Sequence, residues 1–359
     1  MRSYDIAIIG GGPAGAVCAG ELAELMPTLK ILLIDGQTPK NAKVCGGLLA
    51  PDAQRMFAML GLTLPKEILA DPQIFDVETI DLERRQVRYY QRHYLNMDRY
   101  AFDKWLISLI PPAVEVINGR CEGIREENGT LHVDIRSDGQ RLSCAARYLV
   151  GADGASSIVR RTCMQQAPRP LKYVAIQQHF LCSHLRLPPY SCIFDPETSD
   201  SCSWTIRKED TVIFGGAFAA PNCREAFERQ KARLEAFLGV SLGTPTKTEA
   251  CQVTSPRRKR DLCPGRGHIL LVGEAAGFIS ASSFEGISSA VLSGRLLAES
   301  LAEGMDADRV LPLYKKKTRR LRGKLRGKMH KRRVLCSPFW RLCIMRSGLR
   351  SMKKYRSSN

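Results

Sequence analysis

No Cys-x-x-Cys pair occurs among the 13 cysteines, and none of the six histidines sits in a His-Glu-x-x-His or similar ligand spacing. An odd, irregularly spaced set of this kind excludes a disulfide framework, a zinc ribbon and an iron–sulfur site, so no structural metal is expected. Most of the cysteines are expected to be buried free thiols. No apolar run reaches the ~18 residues of a membrane-spanning helix. Neither a signal-peptide core nor a small-residue cleavage site precedes the strand-like run at Tyr4, which makes a cytoplasmic location the expectation. Repeats of solenoid or propeller period are absent too. What is present is a globular composition, 44% hydrophobic and 25% charged over 359 residues. That is enough chain for two domains, or for one large domain carrying an inserted one.

Acid is missing from one region only. From Leu313 to Asn359 there are 18 Lys and Arg and no Asp or Glu, against 36 basic and 36 acidic residues before it, so the whole formal charge of +18 lies in the tail. There Val310, Leu313, Tyr314, Leu321, Leu325 and Met329 fall near one face of a helix with cations on the rest, and Ser337–Arg346 mixes aromatic and basic residues. Such a segment suits an anionic membrane surface, at ~1 kcal/mol per basic residue near the headgroups. It equally suits a helix docked on the body with a solvated charged face. Nucleic acid is not an expected partner, because no reading motif accompanies the charge.

The chain opens as βαβ: a strand Tyr4–Ile9, the turn Gly10-Gly11-Gly12-Pro13-Ala14-Gly15, a helix to about Met26 and a strand Lys30–Asp35. Gly10, Gly12 and Gly15 occupy the positions of G-x-G-x-x-G, serving the tight turn, the approach of backbone to a pyrophosphate, and close helix–strand packing. Asp35 ends the second strand, where a carboxylate accepts hydrogen bonds from an adenosine ribose. An adenine dinucleotide is the expected ligand. Helices are expected at about Asp52–Leu60, Arg99–Ile110 (with Phe102, Leu106, Leu109 and Ile110 on one side), Cys223–Leu238 and from Gly286 to about Glu303. Strands are expected over Ile74–Tyr94, Val114–Ile117, Leu131–Ile135, Arg147–Val150, Lys172–Ala219, Lys247–Thr254 and His268–Val272. Strand-to-turn signals near residues 10, 151 and 273 are more than a nicotinamide dehydrogenase needs, and fit a protein built round one extended FAD.

Three segments carry a resemblance: Lys43-Val-Cys-Gly-Gly-Leu-Leu-Ala-Pro-Asp-Ala-Gln54, Tyr148-Leu-Val-Gly-Ala-Asp-Gly-Ala-Ser-Ser-Ile-Val-Arg160 and Val272-Gly-Glu-Ala-Ala-Gly-Phe-Ile-Ser-Ala-Ser-Ser-Phe-Glu-Gly-Ile287. On these the chain resembles the FAD-dependent hydroxylase and geranylgeranyl-reductase superfamily, and within it the bacterial CbrA-type flavoproteins. The resemblance implies that Gly10, Gly12, Gly15 and Asp35, with Pro13 and Ala14 in the same turn, hold the ADP half of FAD. It implies that Arg99, in Arg-x-x-Phe-Asp-x-x-Leu, helps to position the dinucleotide, and that Asp153 and Gly154 lie beside it; a helix-start Arg and a plain helix cap are the alternatives for these two sites. Glu274 matches a position usually Asp that contacts the ribityl chain. The segment Gly273–Gly277 and the helix opening at Gly286 and Ile287 are expected to aim N–H groups and a positive dipole end at the flavin. Cys45 and Gly46 lie in a loop that reductases of this group place next to the flavin ring, which makes the Cys45 thiol either a proton donor to substrate or an inert buried thiol. Trp204 falls where those reductases carry Tyr-x-Trp-x-Phe-Pro; here Cys202, Ile206 and Arg207 replace the Tyr, Phe and Pro. The Trp-x-Trp-x-Ile-Pro signature of flavin halogenases is absent.

The fold class expected is α/β. It comprises a Rossmann-like FAD-binding domain of glutathione-reductase or hydroxylase type (residues 1–70, 96–165 and 255–305), an inserted mainly β substrate domain (71–95 and 166–254) and a basic helical tail (306–359). The activity expected is FAD-dependent reduction of a carbon–carbon double bond in a lipid-like or prenyl small molecule. A flavin monooxygenase and a non-catalytic FAD-binding membrane adaptor are the alternatives. The electron donor is left as NAD(P)H or another reductant, since no second G-x-G-x-x-G is present. The tail, 313–359, makes peripheral attachment to the inner face of the membrane the expectation for its partner.

Overall fold

A computed structural model describes residues 2–181 and 187–354. Cys182, His184 and the last five residues of the tail lie outside the described residues. Strand β1 (Arg2–Ile9), helix α1 (Pro13–Leu25) and strand β2 (Ile31–Asp35) form the opening unit. A two-residue strand β3 (Leu48–Leu49) and α2 (Pro51–Met59) precede the strands β4 (Ile74–Asp81) and β5 (Gln86–Asn96). Helix α3 (Arg99–Ser108) leads to β6 (Val114–Asn118), β7 (Arg120–Glu127), β8 (Thr130–Ser137) and β9 (Gln140–Gly151), and α4 (Ile158–Cys163) follows. Then come β10 (Leu171–Leu181), β11 (Tyr190–Phe194), β12 (Cys202–Lys208), β13 (Thr211–Phe218), α5 (Cys223–Leu238) and β14 (Lys247–Ser255). The short hairpin β15 (Gly265–Arg266) and β16 (Ile269–Leu271) and the helices α6 (Ile287–Ala302), α7 (Ala307–Lys317), α8 (Arg319–Cys336) and α9 (Pro338–Arg346) complete the chain.

The chain divides into two units, each woven from three segments: Met1–Lys43, Tyr100–Leu171 and Thr254–Gly327 in the first, Val44–Arg99, Lys172–Val253 and Lys328–Asn359 in the second. In the first unit β16, β9, β1, β2 and β6 lie side by side, every pair parallel. Ile6, Ala7, Ile8, Leu32, Leu33, Leu270 and Leu271 are fully buried, as expected where both faces of a parallel sheet are covered. Helices α1 and α6 touch backbone to backbone at Gly294, where a Cβ would lie 2.4 Å from the Ala14 carbonyl oxygen. Strand β7 has no counterpart among the strands expected from the sequence. Its run Arg-Cys-Glu-Gly-Ile-Arg-Glu-Glu pairs only with β8, and a charged edge strand shows little alternation to read.

The second unit is an eight-stranded sheet in the order β14-β10-β13-β12-β11-β4-β5-β3. Helix α5 presents Phe227 and Leu234, two turns apart, to Phe180, Phe214 and Phe218 of the sheet. Phe227 stacks tilted on Phe214 at 5.1 Å and edge-on against Phe218 at 5.7 Å. The segment from Val44 falls in this unit, because β3 pairs antiparallel with β5 through Leu48–Asn96 and Leu49–Leu95. A two-residue strand carries no periodicity, and the sequence division at residue 70 differs here for that reason.

The tail is not a separate body: its segments are divided between the two units at Gly327. In the first unit Val310 and Tyr314 are buried, and the Tyr314 hydroxyl donates to the Leu271 carbonyl at 3.0 Å. In the second, Arg341 is buried with its guanidinium on Asp81 (2.5 Å) and Glu83 (3.0 Å), and Lys354 pairs with Asp76 at 2.7 Å. Arg332 reaches Asp200. Most of the apolar face read from the sequence, including Leu321, Leu325 and Met329, is buried. Two smaller expectations are corrected. Leu109 is exposed, since α3 ends one residue before it. Of the described cysteines, all free, only Cys18, Cys144 and Cys202 are fully buried.

Candidate functional site

The glycine turn of the first unit is shaped by contacts that only hydrogen side chains allow. Gly10 has φ +110°, and a Cβ there would lie 2.6 Å from the Ala152 carbonyl oxygen; one on Gly15 would lie 1.9 Å from the Gly10 oxygen. Gly12 differs, because a Cβ there would meet nothing within 4 Å. It is the N-cap of α1, which has no side-chain cap and no acid in its first turn. The helix therefore offers N–H groups and its positive end beside open space, which is what a pyrophosphate takes.

Asp35 lies at the end of β2, 3% exposed. Its Oδ1 accepts from the Gln37 N–H at 3.1 Å and its Oδ2 pairs with Lys104 Nζ at 2.7 Å. In the Arg-x-x-Phe-Asp-x-x-Leu segment it is the two residues after Phe102 that reach this corner, since Asp103 Oδ2 accepts from the Gln37 amide at 3.1 Å. Arg99 is the first residue of α3. Lys104 carried no motif, and only the fold reveals it.

Asp153 does the work of a helix start. Its Oδ1 accepts from Ser157 Oγ (2.5 Å) and its Oδ2 from the N–H groups of Ile158 (2.6 Å) and Val159 (3.2 Å) at the head of α4. Burial pushes this carboxyl up, and the same hydrogen bonds act against that. Gly154, at φ +69°, has open space on its Cβ side. Arg160, which closes the same motif, clamps the next turn: it donates to the carbonyls of Ala275 (2.9 Å), Asp261 (2.8 Å) and Pro168 (2.7 Å).

The turn Gly273–Gly277 is held by contacts within its own unit. The Gly273 N–H donates to Ser293 Oγ at 2.9 Å and the Gly277 N–H to the Glu274 carbonyl at 2.9 Å, so neither is left for a ligand. The Glu274 carboxylate is held by its own unit, Oε1 accepting from Thr254 N (2.7 Å) and Oγ1 (3.1 Å), Oε2 pairing with Lys43 at 3.0 Å. The methylene that Glu adds over Asp supplies that reach. A further donor end is the start of α6 at Ile287, after Gly286, with no side-chain cap and no acid in its first turn.

In the second unit the Cys45-Gly46-Gly47 loop lies over β12. A Cβ on Gly46 would lie 2.5 Å from Ile206 Cδ1 and 3.8 Å from Trp204 Nε1. Gln177 on β10 joins loop to indole, accepting from Trp204 Nε1 at 3.2 Å and donating to the Cys45 carbonyl at 3.5 Å. Trp204 has room because its cross-strand partner is Gly215, where a Cβ would lie 2.5 Å from Nε1. It is half-buried. Cys45 Sγ, half-buried, accepts from the Gly47 N–H at 3.4 Å. Lys208 fixes the far end of the loop, donating to Met97 O (2.5 Å), Asn96 Oδ1 (2.6 Å) and Gly47 O (3.4 Å). Burial pushes the Lys208 amine down to about 8. Neither Lys208 nor Gln177 belongs to a motif. Among the described residues no group of His, Cys, Asp and Glu could hold a metal ion, and no helix is long and apolar enough to cross a membrane.

Comparison with known proteins accords with this geometry. The lycopene cyclase protein family matches residues 5–170. The protein CbrA of Escherichia coli O6:H1 is 45% identical over 354 residues, 97% of this chain and 94% of that protein. Among solved structures, a geranylgeranyl bacteriochlorophyll reductase-like protein from Thermoplasma acidophilum superposes with a TM-score of 0.79 at 18% identity, covering 94% of this chain and 88% of that one. The p-nitrophenol 4-monooxygenase of Pseudomonas putida superposes at 0.70 with 15% identity, covering 96% and 93%. The chain belongs to the CbrA family, on the fold of the FAD-dependent hydroxylase and reductase superfamily.

Proposed function

We propose that the protein is an FAD-dependent oxidoreductase that reduces a carbon–carbon double bond of a lipid-like or prenyl substrate. The residues of the first unit fit the cofactor: the uncapped start of α1 and the open side of Gly12 suit the pyrophosphate, and Asp35, oriented by Lys104, suits the ribose. Bound there, FAD supplies the hydride equivalent, drawn from NAD(P)H or another reductant. The observation that carries the reading is the Gln177 bridge between the Cys45 backbone carbonyl and Trp204, which ties the loop carrying a half-buried thiol to an aromatic side chain.

Trp204 presents an apolar plane to a prenyl chain. Cys45 delivers a proton to the alkene carbon opposite the one that takes the hydride, breaking its S–H bond. The Gly47 N–H lies on the sulfur, and solvent restores the proton. The test is to reduce the purified protein without oxygen and mix it with prenyl lipid extract or aerated buffer. Faster reoxidation by lipid, with a saturated product lost in Cys45→Ser, supports the reading. Fast reoxidation by oxygen with a hydroxylated product would make it a monooxygenase. Flavin that no donor reduces would make it an adaptor.

A lipid-like substrate goes with attachment to the inner face of an anionic membrane, the partner proposed for the tail. The part of the tail that supports this is the aromatic and basic segment Ser337–Arg346. Phe339 and Trp340 on α9 are 63% and 54% exposed, edge-on at 5.3 Å, with exposed Arg346, Arg350 and Lys353 following. Pelleting with phosphatidylglycerol vesicles should be lost in Phe339→Ser/Trp340→Ser, and retention would rule out this face.

A further inference from the structure

Four cations of the tail find acids: Arg332, Arg341 and Lys354 in the second unit, and in the first Lys317, which pairs with Glu299 and Glu303. Another group of cations, partly from outside the tail, does not. In the first unit Arg258, Lys259 and Arg260, on the loop after β14, line one open cavity of about 590 Å³ together with Lys315 of α7 and Arg322 of α8. None of these five makes an ion pair among the described residues, and no acid lines the cavity. The nearest carboxylate in sequence, Asp261, turns its Oδ2 to the backbone N–H groups of Arg257 (2.7 Å) and Arg258 (2.9 Å). Arg322 donates through Nη2 to the Lys315 carbonyl at 2.5 Å, while its Nε is buried without a partner. Burial and Arg326 lower this guanidinium from its ordinary value, as happens where a cation has no counter-charge. The buried side chains of Leu262 and Pro264 give the cavity an apolar floor.

Like charges brought by three segments to one concavity repel unless an anion joins them, and Arg and Lys at this density match the several oxygens of a phosphate. We infer that this cavity is a binding site for a phosphate or diphosphate group, carried either by a soluble phosphate ester or by a lipid headgroup. It is independent of the flavin reading. Its residues lie outside the glycine turn, Asp35 and the Cys45 loop, so it stands or falls separately.

The test uses the full chain at low ionic strength. Titration with inorganic pyrophosphate should show binding that weakens with salt and falls at least about tenfold in Arg260→Ser/Lys315→Ser. These side chains are exposed and unpaired, so the variant should melt with the parent. In the parent itself, pyrophosphate should slow alkylation of Cys263, which lines the same cavity, as read by peptide mass mapping. If pyrophosphate does not bind but phosphatidylglycerol vesicles do, and the double variant loses them while Phe339→Ser/Trp340→Ser keeps them, the phosphate is a headgroup. Pyrophosphate binding that survives the double variant and leaves Cys263 unprotected overturns the inference, as does no binding of either probe.

Discussion

Gly47 and Lys208 fit into one another: a Cβ on Gly47 would lie 2.6 Å from Lys208 Nζ, and 2.2 Å from the Met97 carbonyl oxygen that the same amine holds. With φ at +65°, an alanine here meets both strain and collision. Gly47→Ala is expected to lower stability by ~1–3 kcal/mol in urea unfolding and to impair turnover by displacing Cys45. Unchanged stability would show that the loop is not pinned.

Lys208 also sets a pH dependence. Burial pushes its amine down to about 8 from the ordinary 10.5. Between those values the unfolded chain holds a proton that the folded chain has released, so this residue makes stability rise with pH across the window. Below it both states are protonated and the whole burial cost weighs on the fold. Compared at about pH 7.5 and about pH 9.5, the parent should gain on Lys208→Met by ~1–2 kcal/mol. A difference flat with pH would contradict this.

Two glycines of one turn should respond oppositely to a methyl group. Gly15→Ala forces a Cβ onto the Gly10 carbonyl and is expected to abolish soluble expression, whereas the open side of Gly12 accepts one without internal contact. Gly12→Ala should therefore melt like the parent in the absence of flavin and bind FAD at least about tenfold more weakly, read by flavin absorbance after dialysis. Full FAD retention would remove the turn from the cofactor site.

Arg341 and Asp81 are a buried pair in the second unit. Arg341→Met leaves the Asp81 carboxylate uncompensated and should cost ~3–5 kcal/mol in urea unfolding. Adding Asp81→Asn should return part of it. No recovery would mean that Arg341 acts through packing alone.

What could be read in the sequence was what repeats locally. The βαβ opening, α5 and α6 follow from periodicity and from glycines that no other residue replaces, and their ends fall within about two residues of the expected ones. Side chains whose partners are distant in sequence left no such trace. Nothing in the sequence tells that Lys43 and Thr254 hold the Glu274 carboxylate, or that Asp153 receives the first N–H groups of α4. Arg332 and Arg341 lie in a run of cations that reads as a solvated face, yet both are buried. Charge alone does not say which arginine has an acid waiting for it.

The interleaving of the two units bears on the order in which the protein is made. Asp81 emerges from the ribosome 260 residues before Arg341, and the second unit closes only with the segment from Lys328. Through most of synthesis that unit carries a carboxylate whose counter-charge does not yet exist. Its final packing must follow the appearance of Arg341, so a chain cut before Lys328 should fail first in the second unit while the parallel sheet of the first is already formed.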